Sequence, residues 1–561
     1  MKLRKIKLLE IYQRRFTNNI NIFVMLILAS LPGIMLELKY GYDVFYDVRI
    51  RAIASFLSVL SVPAYALAWT IFLSYFNKYI KCFFVCLTVL VLMLDVYCYT
   101  QYHILFNEVL LQEVCGTNYK EAWEYVAANI NVEKILIFTC VIAVYIITYR
   151  ISDSVYLFIT KNIVLRRGVV AVVTFLMIIL NSLFALIGIG NGELLPPNKI
   201  INMVSVSNSF KQQYETASRT LSGQNVSLNQ NDSTIPYVIF ILGESTSRTH
   251  MGLYGYKKDT NPLLTARLQK DNYYIFDDTI ASSTHTLGSL KRLFTFYNND
   301  SVNEWYENTN LFAILKKAGY KTYWLSNQEP IGLYAGVQYL LAQQCDFNKF
   351  LVRDTKHYFS EHYDGDLLTY LDDILAGDKQ EKTFMVLHLA GAHQLYRERY
   401  PADFAKFHGS NNVEEIIAEY DNAILYNDYI INEILKRFED KNAIVFYVPD
   451  HGEDVYENGS RFMGHGPNGT MHQQEIPMLV WGSDSFKYKY NDKWLAIGKS
   501  VHKPFMTDNL IHAILGIMDI KTNEYKSRED LFSKDFDEGR RRVYNNREYR
   551  KELVEDDLQN F

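Results

Sequence analysis

Apolar residues are distributed unevenly along this chain. Up to about residue 190 they fall in long runs, and beyond it in short runs separated by polar, helix-patterned stretches. The long runs cover 20–36, 52–76, 82–99, 135–151 and 169–189. Roughly 20 apolar residues, with a range of about 17–25, carry a helix across the hydrocarbon core. The pattern therefore predicts an α-helical membrane domain of five transmembrane helices over 1–190. The stretch 100–134 between the third and fourth runs is amphipathic at helical spacing, with a break near Thr117 and Asn118.

Lysine and arginine set the orientation. Lys2, Arg4, Lys5, Lys7, Arg14 and Arg15 precede the first run, Lys78 and Lys81 lie between the second and third, and Arg150, Lys161, Arg166 and Arg167 flank the fourth connection. With five spans these groups share one side, the cytoplasmic one, which places 38–51, 100–134 and everything after 190 outside. The basic start followed by an apolar run lacks a small-residue cleavage site and reads as an uncleaved anchor. Asp95 lies inside the third run, where a charge is costly in hydrocarbon; the sequence favours a solvated place near the outer interface.

Residues 191–235 are rich in Asn, Ser and Gln and read as a periplasmic linker. From 236 to 530 the pattern changes to short β-rich runs, YVIFILG, KTYWLS, TFMVLHLAG, NAIVFYVPD and IPMLVWG. Helical patterns such as NLFAILKKAG and TDNLIHAILGIM alternate with them. That alternation predicts an α/β domain with a mostly parallel central sheet. A charged tail, 531–561, contains RRRVYNNREYRKELVEDD.

Chemistry in such sheets gathers beyond the carboxyl ends of the strands. Glu244 follows the first run, His393 the third, and Asp450 and His451 the fourth, with His465 soon after. Carboxylate oxygens with imidazole nitrogens suit zinc. The segment ASSTHTLGSL clusters hydroxyls before a helical stretch, where an alkoxide-like oxygen beside a metal can attack phosphorus. Thr284 and Thr286 both lie there, and chemistry alone does not choose between them.

Composition narrows the classes. Fifty-seven Lys and Arg against 62 Asp and Glu give a net charge of -5, which argues against a nucleic-acid partner. With 49% hydrophobic and 14% aromatic residues the chain is not disordered. A mean hydropathy of -0.08 averages two unlike halves. Five of six cysteines precede residue 141, so the polar remainder holds neither an internal disulfide nor a CxxC zinc site.

GESTSRTHMGLYGYKKDTNP, SSTHT, WLSNQ, AGAHQLYRERYP and PDHGED with GHGP together resemble the phosphoethanolamine transferases of Gram-negative bacteria. These belong to the alkaline phosphatase/sulfatase superfamily and include the lipid A and mobile colistin-resistance (polymyxin-resistance) enzymes. The resemblance implies a multi-pass inner-membrane protein with an alkaline-phosphatase-like catalytic domain in the periplasm. It implies zinc, one ion or two, on Glu244, Thr286, Asp450 and His451. Counting back from the LFTF run puts the nucleophile on Thr286. His393 and His465 correspond to histidines that contact the substrate phosphate or a second zinc, and either one protonates the leaving oxygen.

Lipid-substrate positions of the outer loop match Thr117 and Glu121, whereas a family Asn there is Glu113. The lipid A enzymes carry a Lys where this chain reads EPIGLY, which leaves phosphate contact to Asn327 or Gln328. Ser282 and Arg292 stand where the lipid A branch has cysteines, which places the chain nearer the branch that modifies core sugars.

The implied reaction moves phosphoethanolamine from phosphatidylethanolamine to a lipopolysaccharide or lipid A acceptor, through a phosphoethanolamine–threonine intermediate. A phosphoglycerol transferase on the same scaffold, or a glucan or protein acceptor, is the nearest alternative. A sulfatase is disfavoured because SSTHTLGSL lacks the C/S-x-P-x-R motif, and a silent scaffolding protein because the acid–Thr–Asp-His set is intact.

Overall fold

The computed structural model describes residues 19–40, 48–102, 105–107, 110–111, 114, 122–123, 125–126, 130, 132–161, 194–271, 273–328, 336–351, 362–377, 382–457, 463–466, 470–544 and 547–549. The chain forms two units, one of Met1–Leu111 with Asn129–Ser209 and one of Gln112–Ala128 with Phe210–Phe561.

The first unit is helical. Helices α1 (Ile20–Ala29) and α2 (Leu31–Tyr40) divide the first apolar run at Ser30. They are followed by α3 (Val48–Leu73), α4 (Lys78–Tyr102) and α5 (Val132–Lys161). Among the described residues one helix, Lys78–Thr100, is long and apolar enough to cross a membrane. The fifth predicted span, 169–189, and the outer-loop positions Glu113, Thr117 and Glu121 lie outside the described residues. Ile22, Leu26, Val62, Ala66 and Leu73 pack together in this unit.

Asp95 is not at a solvated interface. It is 4% exposed. Its Oδ1 accepts from Lys199 Nζ at 2.6 Å and from the Phe106 N–H at 3.1 Å. A charge in an apolar helix is retained when a partner satisfies it, and Lys199, remote in sequence, could not be matched to it by pattern.

Part of the stretch 191–235, read above as a linker, is helical. Pro196–Ser222 forms helix α6, entered through two prolines that suit a first helical turn. Ala217 and Leu221, one turn apart, are buried in the core of the second unit. Asn, Ser and Gln recur along this helix, which is why composition alone suggested a linker.

The second unit is built on a seven-stranded sheet. In chain order its strands are β1 (Tyr237–Gly243), β2 (Tyr274–Phe276), β3 (Lys321–Ser326), β4 (Phe347–Phe350), β5 (Thr383–His388), β6 (Ala443–Pro449) and β7 (Met478–Gly482). They lie in the order β2-β7-β6-β1-β5-β3-β4. Strands β6, β1, β5, β3 and β4 are mutually parallel, with Tyr237 opposite both Thr383 and Ala443. Strand β7 runs antiparallel to both neighbours, pairing Leu479 with Tyr447 and Met478 with Phe276. The sheet is therefore mixed rather than uniformly parallel. Between β6 and β7 the described chain holds only short elements, the longest the 3-10 turn Met471–Gln474. A parallel return needs a crossover of a dozen or more residues, usually a helix; without one, β7 re-enters from the edge at which β6 ended.

Both faces of the sheet are covered. Val238, Phe240 and Leu242 point into one buried cluster, and Tyr237, Ile239 and Ile241 into the other. The period-2 alternation of a strand sorts them, and burial on both sides makes YVIFILG uniformly apolar. Helices α7 (Pro262–Asp271), α8 (Thr286–Leu293), α9 (Leu311–Lys317), α10 (Asn412–Lys436) and α11 (Leu510–Ile517) contribute to these layers. The packed unit continues past residue 530. Leu531, Phe532, Tyr544 and Tyr549 are buried, so the described part of the charged tail is integral to the unit.

Candidate active site

Strands β1 and β6 are adjacent and parallel, so their carboxyl ends deliver Glu244 and Asp450 side by side. Both are buried to within 1% of full burial, as is His451. His451 Nε2 lies 3.4 Å from Glu244 Oε1 and 3.3 Å from Asp450 Oδ2. Thr286 opens helix α8, and its hydroxyl donates to Glu244 Oε2 at 3.4 Å and lies 3.3 Å from His451 Nε2. The N-cap of α8 is His285, whose side chain makes no capping bond to the helix. A helix start of this kind favours negative charge near its first-turn N–H groups.

The other hydroxyl is committed elsewhere. Thr284 is fully buried and donates to the Gly466 carbonyl at 2.5 Å. Of the two candidates, Thr286 is the one at the carboxylate–imidazole cluster.

The donor set fits a divalent cation. His451 Nδ1 is 2.8 Å from the Gly452 carbonyl, an acceptor, so the proton of a neutral ring belongs on Nδ1 and the Nε2 lone pair faces the two carboxylates. Asp450 Oδ1 accepts from the N–H groups of Ser245 (3.3 Å) and His451 (2.8 Å). Its Oδ2 is buried with no hydrogen-bond partner. Electron pairs thus converge here: Glu244 accepts from Thr286, from Ser245 Oγ at 2.8 Å and from Gln328 Nε2 at 2.8 Å, whereas Asp450 Oδ2 is left without a donor. Glu244, Asp450 and His451 bring ligand atoms within 4.8 Å of one another. Without a cation, burial and then Asp450 push Glu244 up to about 7, and burial pushes Asp450 up to about 6. Burial and then His465 hold His451 down to about 4. The two carboxyl shifts record buried negative charge that a dication would offset, and the His451 shift leaves the neutral imidazole that a metal requires.

A second group, His451, Glu453 and His465, adjoins the first. His465 Nδ1 hydrogen-bonds with Glu453 Oε2 at 2.7 Å, and Tyr396 donates to Glu453 Oε1 at 2.9 Å. The ring of His465 is 4.2 Å from that of His451 and 5.8 Å from that of His393. Burial drives His393 well below the ordinary histidine range, which leaves it neutral. Both predicted histidines therefore stand on one side of the cluster.

Gln328 and Asn327 separate. Gln328 Nε2 donates to Glu244 Oε2 at 2.8 Å and to the Leu389 carbonyl at 3.1 Å, so its amide holds a candidate ligand. Asn327 donates to Asp364 Oδ1 at 2.9 Å and to the His362 carbonyl at 3.2 Å, one step removed. Asp364 in turn accepts from the N–H groups of Ala390 and Gly391. Gly391 has φ +56°, and a Cβ there would sit 2.5 Å from the Glu244 carbonyl oxygen. Glycine is required by both conformation and space. Asp364, Gly391 and Glu453 carry no individual mark in the sequence. Glu453 stands inside PDHGED, whereas Asp364 is in no motif.

The Sulfatase family model matches residues 236–520. Phosphoethanolamine transferase EptC of Escherichia coli is 29% identical over 322 residues, 55% of this chain and 55% of that protein. Phosphoethanolamine transferase EptA of Helicobacter pylori is 30% identical over 314 residues, 53% of this chain and 56% of that protein. The chain thus spans about half the length of the curated relatives it matches. Among solved structures, the C-terminal periplasmic domain of EptC from Escherichia coli in complex with Zn superimposes with a TM-score of 0.54 at 26% identity, covering 60% of this chain and 99% of that one. The integral membrane protein lipooligosaccharide phosphoethanolamine transferase A from Neisseria meningitidis shares the fold, with a TM-score of 0.62 at 22% identity over 91% of this chain and 96% of that one.

Proposed function

Since the chain belongs to the Sulfatase family, we propose that it is a zinc-dependent phosphoethanolamine transferase of the inner membrane with its catalytic unit in the periplasm. The donor is phosphatidylethanolamine, and the acceptor a lipopolysaccharide or lipooligosaccharide, at a core sugar or lipid A. The observation that carries this reading is the Thr286 hydroxyl at the start of α8, within 3.4 Å of Glu244 and 3.3 Å of His451. The names of the relatives supply the transferred group, and the Zn complex of a neighbour the metal.

Glu244, Asp450, His451 and Thr286 would hold the zinc. When bound, it lowers the pKa of the threonine hydroxyl and neutralises charge on phosphoryl oxygens. The Thr286 oxygen attacks the donor phosphorus, a P–O bond to Thr286 forms, and the bond to the diacylglycerol oxygen breaks. His465 or His393 stands on the side from which a proton reaches the leaving oxygen. An acceptor hydroxyl or phosphate then takes the group from Thr286 and frees the hydroxyl. The N-terminus of α8 adds backbone N–H groups toward the phosphoryl charge. Multi-pass insertion suits this chemistry, because donor and acceptor are both anchored in the membrane.

The test is mass spectrometry of the full chain incubated with donor lipid and no acceptor. A phosphoethanolamine adduct is expected on the peptide containing Thr286, with phosphatidylethanolamine and not with phosphatidylglycerol. An adduct from phosphatidylglycerol alone would move the chain to the phosphoglycerol transferases. Lipopolysaccharide from cells with and without the protein should differ by one phosphoethanolamine.

A further inference from the structure

The segment 540–549 makes polar contacts out of proportion to its length, and they converge on the turn before Thr286. Its start is anchored by two half-buried arginines paired with carboxylates. Arg540 grips Asp508 at 2.7 and 2.8 Å and Asp300 at 2.8 Å. Arg542 grips Asp278 at 2.7 and 3.1 Å and lies 5.0 Å from the ring centre of Tyr549. Two short strands, β8 (Val543–Tyr544) and β9 (Arg547–Glu548), pair antiparallel directly after these anchors.

Two tyrosines reach inward from this pair of strands, and both are buried. Tyr549 donates to Glu475 Oε1 at 2.8 Å and accepts from Arg248 at 3.0 Å. Arg248 itself pairs with Glu475 at 2.8 Å and donates to the Thr279 carbonyl at 2.9 Å. Arg248 follows Glu244 by four residues, and Thr279 leads into the nucleophile segment. Tyr544 meets that segment directly. Its hydroxyl accepts from Ser283 Oγ at 3.4 Å and lies 3.4 Å from His285 Nδ1, while Ser283 and His285 are 3.0 Å apart. Asn299 joins the Val543 carbonyl (2.9 Å) to the Ser282 carbonyl (3.3 Å). Thus three successive residues, 282–284, and the N-cap of α8 are held from the C-terminal side and by Gly466. Thr286 is the next residue.

We infer that the described residues 540–544 and 547–549 act as a strap that sets the 282–285 turn, and that Tyr544 and Tyr549 are positioning residues that aim the Thr286 hydroxyl at Glu244 and His451. The inference rests on the reading of Thr286 as nucleophile. Neither tyrosine touches the cluster, so both act through the turn. Displacement of a nucleophile by a fraction of an ångström slows transfer without removing the metal or the donor site.

The full chain, in detergent and loaded with zinc, allows a direct test. Tyr544→Phe keeps the ring in its apolar contacts with Ile280, Met471 and Met506 and removes only the hydroxyl. The single-turnover rate of adduct formation should fall roughly five- to tenfold, with donor KM and zinc content unchanged. Tyr544→Ala should fall further and speed amide hydrogen exchange across 282–290 relative to the sheet. Arg541→Ala, in an exposed pair with Glu548, should behave as wild type. Wild-type rates in both Tyr544 variants would overturn the inference. So would a rate loss matched by equal loss of zinc or thermal stability. A wild type that forms no adduct would refute the phosphotransfer reading alone. Hydrogen exchange would still decide the strap, and unchanged exchange across 282–290 in Tyr544→Ala would reject it.

Discussion

Gln328 Nε2 lies 2.8 Å from Glu244 Oε2 and turns an amide N–H onto a carboxylate that the neighbouring Asp450 carboxylate repels. The same amide is pinned by the Leu389 carbonyl at 3.1 Å, so the glutamine is a brace between β1 and β5 as well as a partner of the site.

Gln328→Ala should weaken zinc binding by about 10–100-fold, the usual cost of losing an outer-shell partner. Competition with a chelator on the full chain measures this. Excess zinc should restore transfer. Wild-type affinity in Gln328→Ala would show that the amide serves the substrate instead.

Thr286→Ala should abolish adduct formation, by at least about a thousandfold, while retaining zinc on Glu244, Asp450 and His451. Thr284→Ala should do the reverse. It keeps the adduct and loses stability of about 1 kcal/mol, because the buried Gly466 carbonyl is left without its donor. Peptide mapping and thermal melts separate the two. An adduct that survives in Thr286→Ala would move the nucleophile elsewhere.

Asp95→Asn should destabilise the helical unit by about 3–5 kcal/mol, since Lys199 Nζ, 2.6 Å away and buried, keeps its charge without a counter-ion. Asp95→Asn combined with Lys199→Met should recover most of that loss. Unfolding of the full chain in detergent reports both. A single variant as stable as wild type would mean that the pair is solvated after all.

His250 provides a pH signature far from the metal ligands. Burial opposes its charge, but hydrogen bonds to Asp421 at 2.7 Å and Glu457 at 3.0 Å outweigh it and lift the imidazole to about 9. The folded pKa is above the unfolded value of about 6.5. The stabilisation is therefore complete below about pH 6.5 and is lost as pH rises through about 9, on the order of 3 kcal/mol in all. Melting of the wild type relative to His250→Gln, followed from pH 6 to pH 9.5 (roughly the interval between those two values), should show the gap narrowing. A gap constant across that range would mean that His250 is neutral in the fold.

The short apolar runs made the strands legible because burial on both faces demands them. YVIFILG and KTYWLS coincide with β1 and β3. Residues at strand ends followed from the same logic, so Glu244, Asp450, His451, His393 and His465 were legible before any coordinates. The direction of β7 was not, since it depends on what lies between β6 and β7 and not on the composition of the strand. The helix over 196–222 was hidden by its composition, because only Ala217 and Leu221 of it join the apolar core of the second unit and Asn, Ser and Gln recur along the rest.

What the sequence determined by itself is a set of local properties. These are which segments are apolar, where strands end, which donor types follow them, and that Thr284 and Thr286 both precede or open a helix. Those properties follow from a residue and its immediate neighbours. The tertiary structure decided the pairings. Thr284 is spent on Gly466 while Thr286 faces the carboxylates, Asp95 meets Lys199, Gln328 braces Glu244, and Tyr544 reaches back across more than half of the catalytic unit's sequence to the turn before Thr286. Each of these joins residues far apart in the chain at hydrogen-bond range, a condition set by how each unit packs its helices and strands and not by any periodicity along them.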